Sequence, residues 1–177
     1  MINKKVFLIV DDTEINRKVL KGFWKNDSGV EILEADSAKA ALEILQKRND
    51  VSLILMDVVM PEMSGFELLA ELKKSDRFSH IPVIINTQSD GHNLEERSLQ
   101  LGADDFFPKP YVEEIVKRRI DNVLKKSAYD KQRLDSLTGI YNFDTFCSLT
   151  KQMMEMDMVS DFAILRFNIV RFKLINE

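Results

Sequence analysis

Apolar residues in this chain fall into short unbroken runs, separated by longer segments in which they recur every three or four positions. The runs are Val6–Val10, a weaker one at Val30–Ala35 interrupted by Glu31, Val51–Met56, Ile81–Ile85 and the brief Phe106–Phe107. An unbroken run without alternation suits a strand covered on both faces, which means a parallel sheet. Between the runs, Ile15, Val19, Leu20 and Phe23 share one helical face, and Ala38, Ala41, Leu42 and Leu45 share another behind Ser37, the expected N-cap. Ser64-Gly65-Phe66-Glu67 has the spacing of a capping box and opens a third helix. A fourth runs about Leu94–Leu101 and stops at Gly102; a fifth begins near Val112 and carries Ile115, Val116, Ile120, Val123 and Leu124. Strands alternating with helices in this way predict an α/β domain over residues 1–126, a doubly wound five-stranded parallel sheet with helices on both faces.

In such a sheet ligands bind beyond the carboxyl ends of the strands, where strand order reverses. The residues there are Asp11 and Asp12 after the first run, Asp57 after the third, Asn86 and Thr87 after the fourth and Lys109 after the fifth. Taken singly, each has an ordinary explanation: Asp11 and Asp12 as helix caps, Asp57 and Thr87 as turn formers, Lys109 as a solvated charge. Together they place three carboxylates, a hydroxyl and an ammonium on one rim. Clustered carboxylates repel and raise one another's pKa unless a cation joins them. An all-oxygen donor set fits Mg²⁺, and no Cys or His pair lies near the rim to suggest zinc. A carboxylate can attack phosphorus to give an acyl phosphate, given a metal and a Lys to neutralise the phosphoryl oxygens and a hydroxyl to bind one of them.

Composition narrows the field. The 177 residues are 45% hydrophobic and 31% charged, with a net charge of −4 and a pI near 5.4. That balance is globular and gives no general attraction to nucleic acid or to anionic membrane. The N-terminal apolar stretch is too short for a signal peptide or a membrane span, and Cys147 has no partner for an internal disulfide. The expected setting is the cytoplasm.

With the rim and the fold in place, residues 1–126 resemble the receiver domain of two-component response regulators, a flavodoxin-like fold. The matching pieces are VDD (10–12), LMDVVMPEMSG (55–65), NT (86–87) and PKP (108–110), in order and at strand ends. The resemblance implies that Asp57 takes a phosphoryl group from a sensor histidine kinase or phosphotransfer protein. It implies that Asp12, Asp57 and the backbone carbonyl of Val59 bind Mg²⁺ directly, with Asp11 helping through water. Thr87 and Lys109 would hold the phosphoryl oxygens, Phe106 would take the aromatic switch position, and Lys109-Pro110 would be a cis peptide. A homodimer through the receiver is a further expectation.

From Ser127 the pattern changes to a polar helical connector, so residues 127–177 are expected to be a separate segment. DSLTGIYN (135–142) and FAILRFNIVRFKLINE (162–177) resemble the opening of a GGDEF domain of the diguanylate cyclase family. In that pattern Asn168 and Val170 stand where the family places metal-binding Asp, while Phe172, Lys173 and Asn176 match. The implication is a partial, degenerate GGDEF-like α+β segment of a longer protein in cyclic di-GMP signalling, with no cyclase activity of its own. The apolar Phe162–Val170 stretch would offer a second route to self-association. Among rivals, a haloacid dehalogenase-type phosphatase wants a second Asp two residues after the nucleophile, and that position is Val59. A DNA-binding regulator lacks a helix-turn-helix after residue 126. A receiver that acts by protein contacts without phosphorylation remains the alternative function.

Overall fold

The computed structural model describes residues 4–88, 92–133, 135, 138 and 140–155. Its contacts divide the chain into two units, Met1–Tyr129 and Asp130–Glu177. The division falls three residues beyond the change of pattern expected at 126/127.

Among the described residues between 4 and 133 five strands alternate with five helices. They are β1 (Lys5–Val10), α1 (Glu14–Gly22), β2 (Val30–Ala35), α2 (Ala38–Lys47), β3 (Val51–Asp57), α3 (Gly65–Lys74), β4 (Val83–Thr87), α4 (His92–Gln100), β5 (Asp105–Pro108) and α5 (Glu113–Arg133). The strands are all parallel, in the order β2-β1-β3-β4-β5. Strand order therefore reverses between β1 and β3, and the gap between their carboxyl ends is the crevice where such sheets bind ligands. The five-stranded doubly wound sheet is the fold the apolar runs predicted.

Two apolar layers hold it together. On one face Leu8, Val10, Ile54, Met56 and Ile85 pack with Ala41 and Leu45 of α2 and Leu68 and Leu69 of α3. On the other Phe7, Ile9, Leu53, Leu55 and Ile84 pack with Leu20 of α1 and Val116 and Ile120 of α5. Each fully buried aliphatic side chain contributes about 1.5–3 kcal/mol, so both faces of every central strand favour this arrangement. In α1 the buried residue is Leu20, whereas Ile15 and Val19 are exposed. The apolar face read from the sequence is thus only partly turned to the core. The neighbouring Asn16 and Arg17 spend their side chains on Asp11 instead.

Local signals set the helix ends. Ser37 accepts from the Ala40 amide at the start of α2. Ser64 and Glu67 form the expected capping box at the start of α3. Gly65 has no room for a side chain: a Cβ there would lie 2.0 Å from the Asp57 carbonyl oxygen. That close approach seats the first turn of α3 directly under the end of β3. Gly102 ends α4 with a φ of +94°, which favours glycine.

In the second unit α6 spans Phe143–Glu155. Asn142 caps it, accepting from the Thr145 amide at 2.9 Å, and donates through Nδ2 to the Gln132 carbonyl at 2.6 Å. Asp135 Oδ1 accepts from the amide and hydroxyl of Thr138 at 2.9 and 2.8 Å. The Phe162–Val170 stretch and residues Asn168, Val170, Phe172, Lys173 and Asn176 lie outside the described residues.

Candidate functional site

β1 and β3 run side by side, with Val10 opposite Met56, so Asp11 and Asp57 emerge next to each other at the carboxyl end of the sheet. Asp57 and Thr87 are the last residues of their strands rather than the first beyond them. Lys109 follows β5 and crosses back over the rim, its amide donating to the Thr87 carbonyl at 2.9 Å. The next peptide, Lys109-Pro110, is cis, as the resemblance implied.

At the centre of the rim Lys109 Nζ lies 2.7 Å from Asp11 Oδ2 and 2.7 Å from Asp57 Oδ2. All three groups are buried. Asp11 is further fixed by the Thr13 amide and by Asn16 Nδ2, both donating to its Oδ1, while the Arg17 guanidinium donates to its backbone carbonyl. Asp57 Oδ1 accepts from the Val58 amide at 2.7 Å and from the Val59 amide at 3.4 Å. Asp12 is exposed, yet Asp11, Asp12 and Asp57 each offer an oxygen within 4.8 Å of the others.

Burial pushes the Asp57 carboxyl above its ordinary pKa; Lys109 works against this, and the Asp11 charge adds to it. Three carboxylates thus face one ammonium, an imbalance that a hard dication with oxygen preference would correct. The residues fit Mg²⁺ on chemistry as well as spacing.

Thr87 is fully buried and its Oγ1 has no hydrogen-bond partner among the described residues. With Asp57, Val59 and Gln88 it lines a cavity of about 220 Å³. A buried hydroxyl without an acceptor or donor nearby is costly, and a polar group entering this cavity would relieve it. Phe106 is buried on the α2–α3 side, in the same cluster as Phe66, so little of its ring is left to bury by moving inward.

The structure brings Asp11, Asp12, Asp57 and Lys109 into one cluster, sets Thr87 and Val59 beside Asp57 at the cavity, and places Phe106 in the core. Asn16, Arg17 and Gln88 are contributions the sequence reading missed. Asn16 and Arg17 sit in the first turns of α1, where their spacing from Asp11 was a usable signal. Tyr111 was missed as well: its hydroxyl donates to Asn86 Oδ1 at 2.9 Å.

A parallel α/β sheet thus carries an acidic, lysine-capped rim at its reversal point. A family model described as the response regulator receiver domain matches residues 7–121. The two-component response regulator ORR5 of Oryza sativa subsp. japonica is 39% identical over 118 residues, covering 67% of this chain and 87% of its own length. The signal receiver domain of a signal transduction histidine kinase from Syntrophus aciditrophicus superposes with a TM-score of 0.63 at 30% identity, covering 76% of this chain and 97% of that one. A structure described as a probable two-component system response regulator/GGDEF domain protein gives a TM-score of 0.66 at 27% identity, over 72% of this chain and 52% of that one.

The chain belongs to the response regulator receiver family. It contains a phosphorylation-accepting receiver domain, a switch rather than a metabolic enzyme, of the kind that histidine kinases or phosphotransfer proteins phosphorylate. Its cofactor is Mg²⁺, at the acidic cluster of Asp11, Asp12 and Asp57. Among the described residues no helix is long and apolar enough to cross a membrane.

Proposed function

We propose that Asp57 is the residue that takes the phosphoryl group. The observation that carries this is its place in the cluster: among the described residues it alone joins the Lys109 ion pair, the carboxylate group and the cavity lined by Thr87. Asp12, Asp57 and the Val59 carbonyl would hold Mg²⁺, with Asp11 assisting. The ion supplies charge neutralisation at the phosphoryl oxygens.

The chain's own residues do the rest. Lys109 and the Val58 amide orient the Asp57 carboxylate, one at each oxygen. As a bond forms from an Asp57 oxygen to phosphorus, the bond from phosphorus to the donor breaks, and the donor leaves with its electron pair. Lys109 then shifts its hydrogen bonding to the transferred group, and the Thr87 hydroxyl gains the acceptor it now lacks. Phe106, already packed in the core, would follow Thr87 by repacking rather than by crossing from solvent.

For output, the receiver would act in the cytoplasm through protein contacts. Leu99 of α4 and Ile115 of α5 are half exposed, as is Val112 just before α5, and they support a homodimer through that face. A cyclic di-GMP output rests on the GGDEF-like pattern after residue 134 and on the likeness to a response regulator/GGDEF domain protein. Asn168 and Val170 argue against cyclase activity in this chain, since neither brings the charge that holds a dication.

The test is intact-mass measurement after incubation with acetyl phosphate and Mg²⁺. Wild type should gain one phosphoryl group and Asp57→Asn none. Equal labelling of the two proteins would place the acceptor elsewhere and favour a receiver whose contacts do not depend on this residue.

A further inference from the structure

Asn86 lies beside Asp57, its partner in the parallel register, so both side chains leave the same face of the sheet. It is wholly buried. The Tyr111 hydroxyl donates to its Oδ1 at 2.9 Å. The Tyr111 ring is itself set edge-on against Phe107, with 5.8 Å between centroids and 80° between planes. These contacts fix the plane of the carboxamide. Its other end, Nδ2, is buried with no hydrogen-bond acceptor among the described residues.

Buried amide donors are nearly always paired, so an unpaired one calls for an explanation. Three anionic or cationic groups share its side of the sheet: Asp57 on the adjacent strand, Asp11 beyond it, and Lys109 above both. Burial, together with the charges of Asp11 and Asp57, keeps the Tyr111 phenol protonated far above neutrality, so it stays a donor. With its oxygen end committed to that donor, the carboxamide has only its N–H end to offer to an anion.

We infer that Asn86 donates a hydrogen bond from Nδ2 to an oxygen of phosphorylated Asp57, and that Tyr111 is a positioning residue holding the carboxamide in that orientation. The inference rests on Asp57 being the phosphoacceptor. Phosphorylation adds close to two negative charges and three strong acceptor oxygens beside the waiting donor. A bond from an amide N–H to an anionic oxygen is charge-assisted and outweighs one between neutral groups. A leucine at 86 would fill the same space but offer no donor.

The experiment follows the Asn86 side-chain amide by NMR in the full chain, uniformly labelled with ¹⁵N, titrated with beryllofluoride and Mg²⁺. The expected result is a large downfield proton shift of one Asn86 side-chain N–H at saturation. In Asn86→Leu the beryllofluoride concentration for half-saturation should rise about tenfold, the weight of one charge-assisted bond. Tyr111→Phe should show a smaller rise, with an Asn86 amide that shifts less. An Asn86 amide that stays in place while backbone signals around Asp57 saturate would overturn the inference and leave the phosphoacceptor reading intact. If wild type gains no phosphoryl group at residue 57 by mass, that reading fails first and takes this inference with it. Should Asn86→Leu not fold, the wild-type amide shift still decides.

Discussion

Replacing Lys109 with Met removes the one cation among the described residues that touches both Asp11 and Asp57. The methionine fills similar space, so the change is mainly electrostatic. Asp11 and Asp57 offer oxygens within 4.8 Å of each other, and two unit charges at that separation in an effective dielectric near 20 repel by about 3.5 kcal/mol. Breaking a buried ion pair by removing one partner costs about 3–5 kcal/mol, which agrees. Lys109→Met should therefore lose about 3 kcal/mol of stability at pH 7 without Mg²⁺, read from urea unfolding followed by circular dichroism.

Two dependences identify the cause. The Asp57 carboxyl, already raised by burial, rises further without Lys109. Where a carboxyl's folded pKa lies above its unfolded value, the folded state binds more protons between the two, and stability falls as pH rises through that window. The deficit of the variant should thus shrink as the medium is acidified toward the ordinary carboxylate range. Mg²⁺ should also restore the variant by more than it stabilises wild type, because the ion no longer competes with an ammonium for the same oxygens. A variant within about 1 kcal/mol of wild type, with a parallel pH profile and the same Mg²⁺ response, would show that the Lys109 charge does not offset the repulsion between Asp11 and Asp57.

Other changes probe the frame around the site. Gly65→Ala puts a Cβ 2.0 Å from the Asp57 carbonyl oxygen; backbone must move, so it should cost about 3 kcal/mol in urea unfolding and slow labelling by acetyl phosphate. Glu62 holds a φ of +65° in the loop after Asp57, and Glu62→Gly should relieve that strain with a gain of about 0.5–1 kcal/mol by thermal unfolding. A chain ending at Ser127 should remain folded and accept a phosphoryl group, since the buried residues of α5 end at Val123. Loss of the thermal transition in that shortened chain would place part of the receiver core in the remaining segment. If the Phe162–Val170 stretch mediates self-association, the same chain should sediment as a smaller species.

Much of this was legible in the residues themselves. Unbroken runs such as Val6–Val10 and Val51–Met56 marked strands because a parallel sheet buries both faces. The rim was legible because Asp11, Asp57, Thr87 and Lys109 each end or follow such a run. Less legible was the face of α1, where Ile15 and Val19 carry the apolar period but stand in solvent. Helical periodicity finds an apolar stripe without saying which part of it another element covers. Tyr111 was hidden for a different reason. Its partner Asn86 is 25 residues away, and only the packing of β4 against the loop after β5 brings the two together.

Transfer of the phosphoryl group to Asp57 would leave an acyl phosphate whose position can be read chemically. Borohydride reduces an acyl phosphate to the alcohol, so treatment of the acetyl phosphate-labelled protein should convert residue 57 to homoserine. Fragment masses locate that change directly. The expected result is homoserine at position 57 in wild type, dependent on Mg²⁺, and none elsewhere. Homoserine at Asp11 or Asp12, or its absence from a protein that carries the added phosphoryl mass, would contradict it.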